Sequence, residues 1–522
     1  MNLPPVLDAP VAAAMVTFVA LALAPPRPEG APKAAAEAVL ARTRAALGLE
    51  IARRLVLSGR ATYRGVEAPF RLSFAADGRF VRRIDGPLGD AAGFDGATPW
   101  STDAGGLASA VELEDEEVLK LSNGFVSGHL FRPESGAVFE VADAAAASEV
   151  ALDARLPGGR RAARVAIDAA TALPIRIAIP TVFGGETWSL SDWRAIGPRR
   201  VAHRIERRTV ADLVDAFRVE HALLPDGPAD EAFAPDFSTG AGLFDAAVAP
   251  GVEVRRAPTG HLLVHPRVES GKDVGWFIFD SGAGVPVIAP EAADAAGLAA
   301  LGRTFVGGAG GETPVTRFRA GTRFDLGPLS IAPITYVEMD LAAIGDALGT
   351  KVAGVIGFEL FRRAVVSVDM AAPSVAIHDP RSFALPADAP AWEPLVLHER
   401  HPHVRGRYEA AHEGLFRIDT GAGSAAVVFH SPAVEKRRLL ESRETNEVTL
   451  GGAGGLSRAR MGRVRDFELG GRRLDSIAAI FPSPGSGALD DPYSEGTIGG
   501  GIVGGLTLVF DYGRRRIAFL PR

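Results

Sequence analysis

The residue types best suited to chemistry occur in two nearly identical stretches of the chain. Residues 277–284 read FIFDSGAG, and residues 416–423 read FRIDTGAG. In each stretch, an apolar run typical of a buried strand ends in an acid, a hydroxyl residue and a Gly-Ala-Gly sequence. A single Asp-Ser-Gly or Asp-Thr-Gly is a common turn. Any chemistry therefore depends on whether the surroundings of the two stretches repeat as well.

The surroundings do repeat. Asp280 and Asp419 are 139 positions apart (419 − 280). Three further pairs of segments follow in the same order: VGGAGGETPVTRFRA from 306 and LGGAGGLSRARMGRV from 450, FDLGPLSIAPITYV from 324 and FELGGRRLDSIAAI from 467, and GVIGFELFRRAVVSVDM from 354 and GTIGGGIVGGLTLVFDY from 496. Their spacings of 144, 143 and 142 positions differ only slightly. The chain therefore contains two copies of one β-rich unit of roughly 130 residues.

Duplication gives each acid a partner. If the two units pack about a pseudo-two-fold axis, a residue near that axis meets its counterpart. Two carboxyl groups in hydrogen-bonding range cannot both ionise cheaply, so the pair of Asp280 and Asp419 would hold one proton. The ionised member could then activate a water molecule while the protonated member polarises a carbonyl. This arrangement can hydrolyse an amide without a nucleophilic side chain or a metal.

With these motifs in view, residues 250–522 resemble the retropepsin-like aspartic proteases. The resemblance is carried by WFIFDSGAG and LFRIDTGAG, each followed by a GGAGG segment and then by VIG or TIG. It implies a single-chain version with both lobes fused, no cofactor and no metal, a peptide or protein substrate, and a monomer. Asp280 and Asp419 would be the catalytic acids of an aspartic endopeptidase.

The resemblance also implies roles for the neighbouring residues. Ser281 and Thr420 would support the dyad by hydrogen bonds across the lobe interface, and Gly282 and Gly421 would allow close approach of the backbone. Gly357 and Gly499 would pack beneath the dyad loops. Segments 306–311 and 450–455 would close over the substrate as flaps, and their candidate substrate-binding residues are Gly307, Gly308, Ala309, Gly310, Gly451, Gly452, Ala453 and Gly454.

Two features depart from the pepsin pattern. Ala283 and Ala422 stand where pepsin-type proteins have Ser or Thr, whose hydroxyl bonds the carboxylate. Without that bond the ionised dyad is less stabilised and its pKa values are higher, so we expect an optimum at mildly acidic pH. In addition, neither flap has the aromatic residue with which pepsins cover substrate. An alternative to an active enzyme is a protein that keeps the fold and binds peptides or an envelope component without cleaving them.

The first half of the chain has a different pattern. Residues 33–48 predict a helix, and the following segments alternate apolar and polar residues between Gly- and Asp-rich turns up to about residue 240. LVLSGRATYRG, GFDGATPWSTDAGG and IDAATALPIRIAIP resemble the LolA-like β-sheet domains of bacterial envelope proteins. This resemblance implies a curved half-barrel facing an apolar ligand, an envelope component or another domain. Such a domain could present substrate to the cleft or mask it.

The sequence therefore predicts a mainly β protein. An N-terminal curved antiparallel sheet, a half-barrel, would occupy residues 33–243. A C-terminal pseudo-two-fold, double-lobed acid-protease β-barrel domain would follow, with lobes at 244–390 and 391–522. Residues 1–32 contain the apolar run VAAAMVTFVALALA and predict a signal-like segment, an uncleaved anchor or a misassigned start. Export to the periplasm or cell envelope is the location expected from this segment.

Composition excludes several classes of function. The chain has no Cys, which rules out thiol nucleophiles, thiolate metal sites and disulfides. A net charge of −7 gives no support for nucleic-acid binding. His398, His401 and His403 suggest a metal cluster, but no carboxylate at a ligand spacing completes it, so solvent-facing histidines and no metal are expected.

Overall fold

The predicted mainly β fold is confirmed by the computed structural model, which describes residues 31–50, 53–226, 233–235, 237, 242–269 and 271–521. The signal-like run at 11–24 lies outside the described residues. No helix in the described part of the chain is long and apolar enough to cross a membrane.

The N-terminal half forms one antiparallel sheet with two helices. The helices are α1 (Ala31–Leu47) and α2 (Glu114–Ser127). The strands are β1 (Leu55–Tyr63), β2 (Val66–Phe74), β3 (Phe80–Ile84), β4 (Asp90–Phe94), β5 (Pro99–Thr102), β6 (Ala108–Ala110), β7 (Val138–Ala142), β8 (Glu149–Arg155), β9 (Ala163–Asp168), β10 (Pro174–Ile179), β11 (Glu186–Ile196), β12 (Arg199–Arg208) and β13 (Val214–Leu223). Their order is β6-β5-β4-β3-β2-β1-β13-β12-β11-β10-β9-β8-β7.

The core of this half lies between the sheet and the two helices. Strand β2 shows the alternation that produces it, because Ala68, Phe70 and Leu72 are buried while the residues between them face outward. Helix α2 contributes Leu121 and Phe125, which are buried in the same core. One face of the sheet is thus covered by helices, as the period of two in the sequence predicts.

Residues 242–390 form the first half of the C-terminal region. Its helices are α3 (Pro290–Ala296), α4 (Ala342–Leu348) and α5 (Phe358–Arg363). Its strands are β14 (Leu243–Phe244), β15 (Val254–Arg256), β16 (Leu262–Val264), β17 (Arg267–Val268), β18 (Phe277–Phe279), β19 (Val287–Ile288), β20 (Ala299–Phe305), β21 (Val315–Gly321), β22 (Phe324–Leu326), β23 (Leu329–Ile331), β24 (Ile334–Glu338), β25 (Gly354–Ile356), β26 (Val365–Asp369) and β27 (Ser374–His378).

Residues 391–521 form the second half. Its helices are α6 (Ser431–Lys436) and α7 (Gly500–Val503). Its strands are β28 (Glu393–Pro394), β29 (Val396–His398), β30 (His401–Tyr408), β31 (His412–Ile418), β32 (Val427–Phe429), β33 (Asn446–Gly452), β34 (Gly455–Leu469), β35 (Arg472–Pro482), β36 (Gly496–Ile498), β37 (Leu506–Asp511) and β38 (Arg516–Pro521).

The sequence repeat corresponds to a repeat in strand pairing. The first half has a sheet in the order β15-β16-β18-β25-β19-β24-β21-β20. The second half has one in the order β29-β30-β31-β36-β32-β35-β34-β33, which matches it position for position. A separate sheet, β27-β26-β37-β38-β28, joins the halves through antiparallel pairing of β26 with β37. The two units therefore share a backbone ladder as well as a side-chain core.

Candidate active site

The two acids follow equivalent strands. Asp280 follows β18, which lies parallel to β25, and Asp419 follows β31, which lies parallel to β36. The Asp280 N–H donates to the Ile356 carbonyl at 3.0 Å, and the Asp419 N–H donates to the Ile498 carbonyl at 2.9 Å. Each acid is thus fixed at the end of a buried pair of parallel strands, where the chain turns out of the sheet.

The hydroxyl residues that follow the acids exchange hydrogen bonds between the two halves. The Thr420 hydroxyl accepts from the Ser281 N–H at 2.9 Å and donates to the Phe279 carbonyl at 3.0 Å. In the opposite direction, the Ser281 hydroxyl accepts from the Thr420 N–H at 3.0 Å and donates to the Ile418 carbonyl at 2.8 Å. Both side chains are 1% exposed, so water does not compete for these bonds.

The glycines bring the carboxyl groups together. A Cβ atom at Gly282 would lie 2.5 Å from the Asp419 carboxyl carbon, and one at Gly421 would lie 2.3 Å from that of Asp280. Each carboxyl group therefore packs against the glycine of the opposite loop, at a distance that any side chain would block. The two carboxyl groups therefore face each other closely enough for the charge of Asp419 to act on Asp280.

The surroundings of Asp280 favour its protonated form. Burial of the carboxyl group raises its pKa well above the usual range, and the charge of Asp419 raises the pKa further. The Gly282 N–H donates to Asp280 Oδ1 at 2.7 Å and lowers this pKa. The positive charge of Arg417 also lowers it. Asp419 Oδ1 is buried and, among the described residues, has no hydrogen-bond partner. The site thus combines a carboxyl group that holds a proton with an oxygen free to accept one.

Small residues occupy the other positions around the two loops. A Cβ atom at Gly357 would lie 2.4 Å from the Asp280 carbonyl oxygen, and one at Gly499 would lie 3.1 Å from the Ala422 Cβ. Ala283 and Ala422 close turns, since each N–H donates at 3.2 Å to the carbonyl of the preceding acid. Their methyl groups offer the carboxylates no hydrogen bond.

The two glycine-rich segments meet each other. The Gly310 N–H donates to the Ala453 carbonyl at 2.8 Å, and the Glu312 N–H donates to the Gly454 carbonyl at 3.0 Å. Gly308 accepts a backbone bond at 2.8 Å from Ala488. A Cβ atom at Gly310 would lie 1.9 Å from a backbone atom of Gly454, so this contact requires glycine.

The outer flap residues differ in their contacts. A Cβ atom at Gly452 would lie 3.0 Å from the Ala309 Cβ, whereas Gly451 is exposed and faces its own strand partner Leu456. A Cβ atom at Gly307 would lie 2.5 Å from the ring of Phe183, in the N-terminal half. The flaps therefore contact each other and the N-terminal sheet domain.

Two histidines lie beside the dyad loops: sequence reasoning did not single out His261, and it did not connect His401 with the dyad. The His261 ring lies against Gly423, whose added Cβ would be 2.7 Å from Cε1, and the His401 ring lies against Gly284, at 3.4 Å from Nε2. They occupy equivalent places, because Leu263 pairs with Ile278 and His403 pairs with Arg417. Extending the repeat twenty residues before each acid would have revealed them.

The surroundings of both imidazole rings lower their pKa values. Burial lowers the pKa of His261, against smaller opposing effects of Gly421 and Asp419. Burial lowers the pKa of His401 well below its usual range, and the charge of Arg417 lowers it further. Each half therefore places a neutral imidazole beside the active loop of the other.

The prediction of solvent-facing histidines at 398 and 403 is wrong. Both side chains are 1% exposed, and His398 Nε2 lies 3.2 Å from a carboxylate oxygen of Asp491. The reason is that the His398 ring packs against the rings of His403 and Tyr493, with centroids 5.4 and 5.2 Å away. His401 is partly exposed. Among the described residues, no group of three or more His, Asp or Glu could hold a metal ion.

With this geometry in place, comparison with known proteins gives a partial assignment. Residues 264–360 match the aspartyl protease family. The match includes the loop at Asp280 and the glycine at 357, whereas the loop at Asp419 lies beyond it. This similarity supports an aspartyl protease-like function at family level. No curated protein matches the chain.

Solved structures with a similar course of the chain include two of different kinds. A LolA superfamily protein from Nitrosomonas europaea is 13% identical, covers 39% of this chain and 99% of its own, and gives a TM-score of 0.29. Basic 7S globulin from soybean is 12% identical, covers 52% of this chain and 94% of its own, and gives a TM-score of 0.32.

Removal of the Thr420 hydroxyl is expected to destabilise the protein. In Thr420→Val the buried Ser281 N–H loses its acceptor, which costs about 1–3 kcal/mol. Thr420→Ser keeps the hydroxyl and is the matched control. Urea unfolding followed by tryptophan fluorescence measures the difference. Equal unfolding midpoints for the Val and Ser variants would show that the hydrogen bonds between Ser281 and Thr420 contribute nothing to stability.

Replacement of Asp280 by Asn is expected to stabilise the protein at neutral pH. The pKa of Asp280 is raised in the folded state, so folded protein binds this proton more tightly than unfolded protein does. The contribution to stability is complete below the unfolded pKa of about 3.9 and is lost as pH rises through the folded pKa. The melting temperature of Asp280→Asn should therefore exceed that of wild type near pH 7 and equal it near pH 3.5.

Calorimetric melting temperatures between pH 3.5 and pH 7 test whether Asp280→Asn is the more stable protein at the higher pH. The exposed Asp388 supplies the control Asp388→Asn, for which no such crossover is expected. A difference between Asp280→Asn and wild type that does not vary with pH would contradict the assignment of a buried, proton-holding carboxyl group to Asp280.

Proposed function

We propose that this protein is an aspartic endopeptidase in which Asp280 and Asp419 hydrolyse peptide bonds through one activated water molecule. The observation that carries the proposal is the contact of the two carboxyl groups, each packed on the glycine of the opposite loop. The family match at 264–360 supports the same reaction class.

In the proposed mechanism the two acids have different tasks. Asp419 offers an unpartnered oxygen and takes a proton from the water as its oxygen attacks the substrate carbonyl carbon. Asp280, which holds the shared proton, gives it to the carbonyl oxygen. Asp419 then gives the proton that it took from water to the amide nitrogen. As the carbon–nitrogen bond of the tetrahedral intermediate breaks, one of its hydroxyl groups returns a proton to Asp280, which restores the starting state of both acids. These steps require neither a metal nor a covalent enzyme intermediate.

The loops around the dyad support this chemistry. The exchange of bonds between Ser281 and Thr420 holds the carboxyl groups in place before substrate arrives. The flap segments meet above through the bond from Gly310 to Ala453, so substrate entry requires them to separate and closure would exclude water. A peptide in an extended conformation is the substrate that such a cleft between two halves accommodates. The location of the protein in the cell envelope is inferred from residues 11–24 alone.

Cleavage of a peptide library across pH tests the proposal. Wild type should show a bell-shaped profile with its maximum at mildly acidic pH, because the raised pKa of Asp280 keeps the acid protonated there. Asp280→Asn and Asp419→Asn should each lose at least about 10³-fold in kcat/KM, while Asp388→Asn keeps wild-type activity.

Three outcomes would count against it. A maximum below about pH 3 would contradict the role assigned to burial at Asp280. Undiminished activity in either Asn variant would remove that acid from the mechanism. Saturable peptide binding by wild type without cleavage would favour the alternative function, a peptide-binding clamp with the same fold.

A further inference from the structure

A large cavity lies between the N-terminal sheet and the C-terminal region, and both halves of that region line it. Its volume is about 830 Å³, which is within the range of ligand pockets. Trp188 and Leu119 line it from the N-terminal side. Residues from the opposite side are Gly284, Val285, Gly307 and His401. The cavity therefore belongs to both parts of the protein.

The cavity adjoins the proposed catalytic cleft. Gly284 lies on the Asp280 loop, four positions after the acid, and Gly307 lies in the first flap segment. His401 packs against Gly284 and lines the cavity as well. A chain that runs past Asp280 and below Gly307 would thus meet the cavity as it leaves the cleft.

The N-terminal half supplies an aromatic residue at this junction. Phe183, in the loop between β10 and β11, contacts Gly307 and packs against Phe305 with ring centroids 6.3 Å apart. The flap segment 306–311 contains no aromatic residue of its own. Phe183 also lines the cavity, so it connects the flap to the N-terminal wall.

Buried polar contacts join the N-terminal wall of the cavity to the C-terminal region. Arg363 pairs with Asp103 of the N-terminal half, and the two side chains are 3% and 0% exposed. Arg362 donates to the Ser109 hydroxyl and to the Ala108 carbonyl, both at 2.7 Å. Separation of two buried partners of this kind is costly. The N-terminal half is therefore a fixed part of the cavity, which argues against a removable mask.

The cavity wall has charged and apolar parts. Arg82 lies 3.2 Å from Asp90 and Arg207 pairs with Asp215, while Arg303, Arg400 and Glu399 line other parts of the wall. Trp188, Leu119 and the partly buried Val118 form an apolar stretch on the N-terminal side. An apolar side chain matches this stretch better than a charged one, because a charge placed against it would lose hydration without a partner there.

We propose that this cavity is an extended subsite that receives an apolar segment of the polypeptide substrate, several residues away from the scissile bond and on one side of it only. The inference rests on the proposed peptidase function and specifies its substrate as a chain longer than the catalytic cleft. Binding energy from such a remote segment can be used to orient the scissile bond.

The test uses three quenched fluorescent peptides and the full-length protein. One peptide is a short core that wild type cleaves, and the others extend this core by several apolar residues at its N-terminal or its C-terminal end. Ala110→Trp fills the cavity, which Ala110 lines. The matched control is Ala145→Trp, at an exposed position of the β7–β8 connection. Phe183→Ala is a second variant that adds no bulk.

Wild type and Ala145→Trp should cleave one of the two extended peptides about tenfold more efficiently than the core. Ala110→Trp should abolish that preference and leave cleavage of the core within about twofold of wild type, and Phe183→Ala should reduce the preference. Cleavage of the core also shows that each variant is folded.

A wild-type protein that cleaves core and extended peptides equally would overturn the subsite while leaving the peptidase intact. Equal loss on all three peptides in Ala110→Trp would overturn it too, since the cavity would then act only through overall structure. Binding of a fluorescent long-chain fatty acid that no extended peptide displaces would reassign the cavity to a lipid-like ligand. Failure of wild type to cleave any peptide would overturn both proposals.

Discussion

The reciprocal hydrogen bonds between Ser281 and Thr420 are the contact on which the proposed site depends. Each hydroxyl reaches across the boundary between the halves and bonds both the backbone amide of its counterpart and a strand-end carbonyl. The contact is fully buried, so it fixes the two loops relative to each other without help from solvent. That arrangement brings the two acids together, as the proposed mechanism requires.

The strands of the C-terminal region hold the two loops in position for this contact. The acids follow strands β18 and β31, and the parallel partners β25 and β36 are followed by Gly357 and Gly499, which pack against the loops. The ladder between β26 and β37 joins the halves along all of β26, Val365 to Asp369, and along Thr507 to Asp511 of β37. Duplication thus provides both the paired acids and the interface that aligns them.

The N-terminal half takes part in the same site. Phe183 reaches the first flap, and Arg363 and Asp103 join the two parts through a buried ion pair. A short flap without an aromatic residue gains one from a domain far away in the sequence. Under the proposed function, the N-terminal sheet would take part in substrate binding, in contrast to a role as a separate carrier.

The sequence predicts best what is encoded locally or by repetition. The acids, hydroxyls and glycines of the two loops could be found because each motif is short and its counterpart recurs 139 positions later. The burial of His398 and His403 could not, because it depends on the segment at Asp491 and Tyr493, about 90 residues later in the chain. Phe183 was missed for the same reason, since nothing in its loop shows that it contacts Gly307.

The measurement that tests the central claim most directly is kcat/KM on one cleaved peptide for wild type, Asp280→Asn, Asp419→Asn and the double variant. If the two acids act as one unit, the double variant should be no less active than either single variant, because the first substitution already removes the shared mechanism. Losses that multiply in the double variant would show that Asp280 and Asp419 act independently, which would contradict a single site built from both halves.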